Sequence, residues 1–140
     1  MFETVVVGTD GSETAMGAVA KAIDFVSSGG TLHIVSAYKP MTARVVEAGG
    51  EQWHIMPEDQ VDKVLQEAGA RGRMAGVNVE THAIKRDPAD SIIRVAEEVR
   101  ADLVVVGNKG MTGAKRFLLG SVPNKVAHNA PCNVLVVKTT

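Results

Sequence analysis

Apolar residues along the chain fall into two patterns, and the first of them predicts buried strands. Continuous runs of aliphatic or β-branched residues that end in glycine occur at Thr4–Gly8 and Leu103–Gly107. Such runs are typical of central strands in a parallel sheet, where both faces are covered. We therefore predict that these two strands are neighbours in the middle of the sheet.

Weaker signals predict the other strands. Apolar residues dominate Leu32–Tyr38 and Val134–Val137, whereas Val77–Ala83 alternates apolar and polar residues, as a half-exposed edge strand does. The sequence thus predicts five strands in all.

The second pattern has helical spacing and occurs between the strands. Ser12 can cap a helix that runs to about Ser27 and is ended by Gly29-Gly30. Asp87-Pro88 can begin another, because a capping carboxylate is followed by proline in the first turn. A further helix is predicted over Ser121–Asn129. The apolar stripes of the two middle helices are Val61, Val64, Leu65, Ala68 and Ala75, then Ile92, Ile93, Ala96 and Val99.

This alternation of strands and helices predicts a single doubly wound α/β domain over residues 1–140, with four helices on a parallel sheet. In such sheets ligands bind beyond the carboxyl ends of the strands, where the winding reverses. The loops that begin at Gly8 and Gly107 are therefore the candidate site.

Residues 39–57 have no clear period and are predicted to form one long loop, with Pro40, Gly49-Gly50, Trp53 and Pro57. Loops of this length in compact domains are uncommon, and many are lids or binding segments. Two interpretations remain open, a lid or partner contact and a plain connector.

Composition narrows the class of protein. Hydrophobic residues make up 45% and charged residues 22%, which is usual for a soluble globular chain. The net charge of -1 provides no field that would draw the chain to nucleic acid or to an anionic membrane. No apolar run reaches the roughly 20 residues that cross a bilayer, and Met1–Thr4 lacks the order of a secretion signal. We expect a cytoplasmic protein with neither nucleic acid nor membrane as its partner.

The cysteine and the histidines give little indication of a catalytic or metal-binding site in the sequence. The single cysteine, Cys132, opens an apolar run and is interpreted as a packed residue. The histidines lack the spacing of a metal site and are interpreted as structural or surface residues. They are His33, His54, His82 and His128.

The most informative motif is Gly107-Asn108-Lys109-Gly110, followed after nine residues by Gly120-Ser121. Glycines at a strand end let backbone N–H groups form a nest for an anion. Gly120-Ser121 stands where a helix is predicted to begin. The N–H groups and the dipole of a helix N-terminus attract phosphate. Proline at position 123 fits a first helical turn. A lone G-x-x-G can be a simple turn, and neither common phosphate motif is present, so the whole spacing carries the prediction.

This G-x-x-G-x9-G-[ST] spacing resembles the ATP-binding subgroup of the universal stress protein family. The likeness spans the chain, from Val5–Ser12 through the glycine loop and Leu118–Val122 to Ala130–Val137. The resemblance implies an adenine nucleotide alpha hydrolase-like sheet with the strand order 3-2-1-4-5. It also implies a homodimer formed through the strand Val134–Val137.

Carried over to this chain, the resemblance implies a nucleotide site built mainly from backbone N–H groups. The expected nucleotide-binding residues are Thr9, Asp10, Ala37, Gly107, Asn108, Lys109, Gly110, Gly120, Ser121 and Val122. Asp10 can contact ribose or Mg²⁺, or it can be a turn residue before Gly11. Lys109, Lys115 and Arg116 can neutralise phosphate or simply be solvated. Departures from the family pattern occur at Asn108, Pro123 and Asn133.

The function that the resemblance implies is ATP binding with Mg²⁺, as a nucleotide-dependent regulatory switch in a stress response with a protein partner still to be identified. No residue pair is visibly placed as catalytic acid and base, so enzymatic activity stays open, at most as slow ATP hydrolysis. Two alternatives are a cyclic-AMP-binding relative of the same fold and a nucleotide-free structural dimerisation module.

Overall fold

The computed structural model describes residues 1–39, 44–48, 51–108 and 120–139, over which strands and helices alternate. The strands are β1 (Phe2–Gly8), β2 (Val26–Lys39), β3 (Arg44–Ala48), β4 (Glu51–Pro57), β5 (Asn78–Ile84), β6 (Leu103–Gly107) and β7 (Asn133–Val137). The helices are α1 (Glu13–Phe25), α2 (Glu58–Met74), α3 (Pro88–Glu98) and α4 (Ser121–Asn129).

Five parallel strands form the central sheet in the spatial order β5-β2-β1-β6-β7. The predicted third, fourth and fifth strands are β5, β6 and β7, so the predicted order 3-2-1-4-5 is confirmed. The two runs that predicted central strands are β1 and β6, and they pair directly, with Val5 opposite Leu103.

Each face of the sheet carries two helices and its own buried core. Val5 and Val7 of β1 face α1 and α2, whereas Val6, between them, faces α3 and α4. Successive side chains of a strand point to opposite faces. All three valines are fully buried because helices cover both faces of the sheet. The winding therefore reverses between β1 and β6, which opens a crevice at their carboxyl ends.

The predicted loop over residues 39–57 is wrong in part, because a β-hairpin forms there. β3 and β4 pair in antiparallel fashion, from Arg44 opposite Ile55 to Ala48 opposite Glu51, and β4 meets the end of β2. The sequence Gly49-Gly50 between two short runs is a common two-residue hairpin signal, which the irregular pattern around it obscured. Two helix predictions also change: α1 ends at Phe25 rather than Ser27, and Ala75 is exposed beyond α2.

Two glycines of α2 should respond to alanine substitution with opposite signs. A Cβ at Gly72 would lie 2.5 Å from Cγ2 of Val79, a stiff β-branched side chain on β5. A Cβ at Gly69 would meet only the guanidinium of Arg73, which can move. We expect Gly69→Ala to raise the free energy of unfolding by about 0.5–1 kcal/mol through helix propensity. Gly72→Ala should lower it by about 1 kcal/mol, because overpacking outweighs that gain. Equal stabilisation by both in urea denaturation would show that α2 and β5 do not pack this closely.

Candidate functional site

A cleft opens at the carboxyl ends of β1, β2 and β6, at the point where the winding reverses. It holds about 580 Å³ of empty space, with the open solvent at its mouth included. The described residues that line it are Gly8, Thr9, Asp10, Ser12, Thr14, Ala15, Val35, Ala37, Pro88, Ile92, Val106, Gly107, Val122, Pro123 and Thr139. A mainly apolar concavity with a few polar groups is the usual form of a small-molecule site.

The first loop of the cleft is held in place by hydrogen bonds around Thr9. Its N–H donates to the Val35 carbonyl at 2.9 Å, and its carbonyl accepts from the Ser36 hydroxyl at 2.6 Å. Its Oγ1 accepts from the Gly11 N–H at 3.0 Å. Because Thr9 is only 6% exposed, these contacts are shielded from water, and the loop needs little reorganisation to receive a ligand.

Asp10 serves as a turn residue and also faces the cleft. Its Oδ1 accepts from the Ser12 N–H at 2.9 Å, and the Ser12 hydroxyl in turn caps α1 by accepting from the Ala15 N–H at 3.2 Å. Among the described residues that line the cleft, Asp10 is the one charged side chain. Mg²⁺ commonly binds through one or two carboxylates together with substrate phosphates and waters. One carboxylate at the cleft fits a metal that arrives with a nucleotide better than a metal held by protein alone.

The amino end of α4 forms the opposite side of the site. Gly120 is its N-cap residue, and the first turn contains no acidic side chain. The first α-helical hydrogen bond joins the Asn124 N–H to the Gly120 carbonyl at 3.0 Å. Pro123 supplies no N–H. The helix dipole therefore favours a negative group at this end, with main-chain amides as the donors.

The structure brings several of the predicted site residues together. Those that line the cleft are Thr9, Asp10, Ala37, Gly107 and Val122. Gly120 is the N-cap residue of α4, and Ser121 is the first residue of the helix. Asn108 follows β6 and is not among the lining residues, but its side chain contacts Thr139, which is. The predicted Lys109 and Gly110, and the candidate cations Lys115 and Arg116, lie outside the described residues.

Sequence reasoning missed the wall that α3 contributes. Pro88 and Ile92 line the cleft, although they precede β6 in the chain and belong to no phosphate motif. The signal was present, because Asp87 caps α3 and helices of this fold begin at the carboxyl edge of the sheet. Nothing in the sequence indicated Thr139, which reaches the cleft from beyond β7.

A charged cluster joins α3 and α4 beside this wall. Lys125 Nζ lies 2.8 Å from an Asp90 oxygen and 3.7 Å from an Asp87 oxygen. Burial raises the pKa of Asp87, and its hydrogen bond with Asp90 raises it further. The hydrogen bonds from Asp87 and Lys125 lower the pKa of Asp90. Because these side chains are partly exposed, the ion pairs should contribute little to the free energy of unfolding.

Two of the histidines that were interpreted as structural or surface residues form a pair in the structure. His33 Nδ1 and His82 Nε2 lie 2.9 Å apart on the neighbouring strands β2 and β5. Burial and the charge of His82 lower the pKa of His33, which favours its neutral form. Their separation in sequence hid the contact. Within the described part of the chain, no group of three potential metal ligands is present.

None of the helices in the described ranges combines the length and the apolarity that crossing a bilayer requires.

Comparison with known proteins gives consistent matches along the whole chain. The model of the universal stress protein family matches residues 1–138. A universal stress protein of Mycobacterium tuberculosis H37Rv is 39% identical over 143 aligned residues, which cover 99% of this chain and 98% of the relative. A universal stress protein of Methanocaldococcus jannaschii is 32% identical, over 99% of this chain and 83% of the relative.

Two similar solved structures contain nucleotides. A crystal structure of a universal stress protein in complex with cAMP is 35% identical, with a TM-score of 0.76 over 99% of this chain and 98% of the other. The Archaeoglobus fulgidus universal stress protein in complex with dAMP is 25% identical, with a TM-score of 0.69 over 96% of this chain and 97% of the other.

Proposed function

This chain belongs to the universal stress protein family, and we propose that it binds an adenine nucleotide in the cleft between β1 and β6. The observation that carries the proposal is the meeting of the Thr9-Asp10 loop, Gly107 and the amino end of α4 around one concavity. The phosphates would meet main-chain amides, and the apolar lining would receive the base and sugar. The nucleotides in the two similar structures support this assignment.

ATP is the ligand we propose first, in keeping with the ATP-binding subgroup and its G-x-x-G-x9-G-[ST] spacing. Gly107, Gly110, Gly120, Ser121 and Val122 would surround the ribose and phosphates, and Ala37 would lie near the adenine. Mg²⁺ would enter with the nucleotide, and Asp10 can supply one carboxylate oxygen to it. The metal would offset phosphate charge that the described lining leaves without a cation.

Cyclic AMP is a second candidate, favoured by the 35% identical structure that contains it. The charge of the described lining also favours cyclic AMP, since the one charged side chain in that lining is the acidic Asp10. A cyclic monophosphate brings one negative charge, which main-chain amides can satisfy without a basic side chain.

For the biological role we propose a nucleotide-dependent switch in a cytoplasmic homodimer. β7 lies at one edge of the sheet and its apolar residues, Val134–Val137, are only half-buried. A second copy could cover that edge by a two-fold contact. Nucleotide binding would then stabilise this state and alter the surface that a protein partner recognises, including the hairpin of β3 and β4.

Calorimetry with ATP, AMP, cyclic AMP and GTP tests the proposal directly. Adenine nucleotides should bind and GTP should not. At 100 times its Kd, the preferred ligand should raise the free energy of unfolding by about 2.7 kcal/mol, which thermal melting detects. An ATP site should lose affinity steeply from ATP to AMP, whereas a cyclic AMP site should prefer the cyclic ligand with or without Mg²⁺. A folded protein that binds none of the adenine nucleotides would refute the assignment.

A further inference from the structure

Asn108 lies at a junction of three parts of the molecule. Its N–H donates to the Val137 carbonyl at 2.7 Å, which extends the β6–β7 ladder. Its carbonyl accepts from the Gly120 N–H at 3.0 Å, at the N-cap of α4. Its side-chain Oδ1 accepts from both the N–H of Thr139, at 2.9 Å, and the Thr139 hydroxyl, at 3.2 Å. One residue therefore connects the last strand, the amino end of α4 and the segment beyond β7.

The side-chain contact has a defined direction. A backbone N–H can only donate, so the atom that faces Thr139 must be the carboxamide oxygen of Asn108. A hydrophobic side chain at position 108 would leave the Thr139 N–H without this acceptor. The contact is therefore specific to an acceptor at this position and not only to side-chain size.

Thr139 is one of the residues that line the cleft. Its γ-methyl group also faces α1, because a Cβ added at Gly17 would lie 3.5 Å from it. The segment beyond β7 thus spans from the end of β6 to α1 and forms one side of the cleft. We refer to the pair of hydrogen bonds between Thr139 and Asn108 Oδ1 as the Thr139 clasp.

We infer that Asn108 is a positioning residue, whose carboxamide oxygen holds Thr139 as a wall of the nucleotide site. The inference rests on the proposed function, since the wall acts only if the cleft binds a ligand. If the clasped form is the one that binds, the apparent affinity scales with its population. By thermodynamic linkage, ligand must then favour the clasp by the same factor.

The first test measures the clasp without any ligand. Solvent exchange of the Thr139 amide, followed by NMR, should become about tenfold faster in Asn108→Ala, because a hydrogen-bonded pair is lost. Asn108→Asp retains an acceptor and should restore slow exchange. Asn133→Ala is the matched control, since it makes the same change at the opposite end of β7, where the side chain faces the Asp102 carbonyl. Unchanged Thr139 exchange in Asn108→Ala would overturn the clasp.

The second test measures binding of ATP and cyclic AMP by the same variants. Asn108→Ala should weaken the preferred ligand by the factor by which the clasped population falls, while Asn133→Ala binds as the wild type does, and the ligand should slow Thr139 exchange in the wild type. Loss of most of the clasped population, measured by Thr139 exchange, with unchanged affinity would overturn the positioning role and leave the proposed function standing. Failure of the wild type to bind either nucleotide would overturn the proposed function, and the positioning role with it.

Discussion

Replacement of Ala15 by tryptophan is expected to remove most nucleotide binding while the fold is retained. Ala15 lies in the first turn of α1 and lines the cleft, yet it belongs to neither buried core cluster. An indole at this position would occupy space that the ligand needs, so the ligand would bind only in an overcrowded cleft. Such crowding costs about 1–3 kcal/mol, which corresponds to a loss of affinity of roughly 5- to 150-fold. Calorimetry with the preferred adenine nucleotide measures the loss.

The same helix offers a matched control for this variant. Ala20 is exposed on α1, away from the cleft lining, so Ala20→Trp makes the identical chemical change outside the proposed site. It should bind nucleotide as the wild type does, and both variants should melt near the wild-type temperature. Equal affinities for Ala15→Trp and Ala20→Trp would mean that the ligand does not occupy this cleft.

The sheet could be predicted from the sequence where the decisive interactions are local. The uninterrupted aliphatic runs identify β1 and β6, because strands covered on both faces have no polar positions. The predicted bounds of α4, Ser121–Asn129, agree with the structure, and Asp87 caps α3 as its sequence position indicates. Caps and buried runs are determined by neighbouring residues, so a single sequence contains them.

The hairpin and the histidine pair could not be predicted in the same way. Pairing of β4 with β2 involves only the end of β2, at Tyr38 opposite Met56, and no periodic pattern precedes it. The contact between His33 and His82 joins residues 49 positions apart in the chain. It depends on the register between β2 and β5, which one sequence does not specify.

The residues that line the cleft were likewise only partly indicated by the sequence. Glycines and a helix start in the sequence pointed to the carboxyl ends of β1 and β6, and Gly8 and Gly107 line the cleft there. The wall formed by Pro88, Ile92 and Thr139 was missed, since these residues reach the cleft only after α3 and β7 have packed on the sheet. Motifs therefore indicate which edge of the sheet carries the candidate site, whereas the shape of the cleft depends on tertiary packing.

Gly8→Val should be strongly destabilising, for a steric reason that a second substitution can remove. Gly8 ends β1, and a Cβ there would lie 2.5 Å from Cδ1 and 2.9 Å from Cγ1 of Ile92. Ile92 is only 4% exposed, so it has little room to move aside except into the cleft. We expect valine to lower the free energy of unfolding by about 3 kcal/mol. That loss should reduce Tm by about 10 °C in thermal melting.

The double variant Gly8→Val/Ile92→Ala distinguishes a clash from any other effect of valine. Ile92→Ala alone should lower stability by about 2–5 kcal/mol, because it leaves a cavity. Together the two changes exchange side-chain volume between facing positions, and volume-conserving exchanges usually cost less than about 1.5 kcal/mol. The double variant should therefore be more stable than either single variant in urea denaturation. If the two losses in the free energy of unfolding simply add, Gly8 and Ile92 are not closely packed. The lining of the proposed nucleotide site at these two residues would then differ from the structure described.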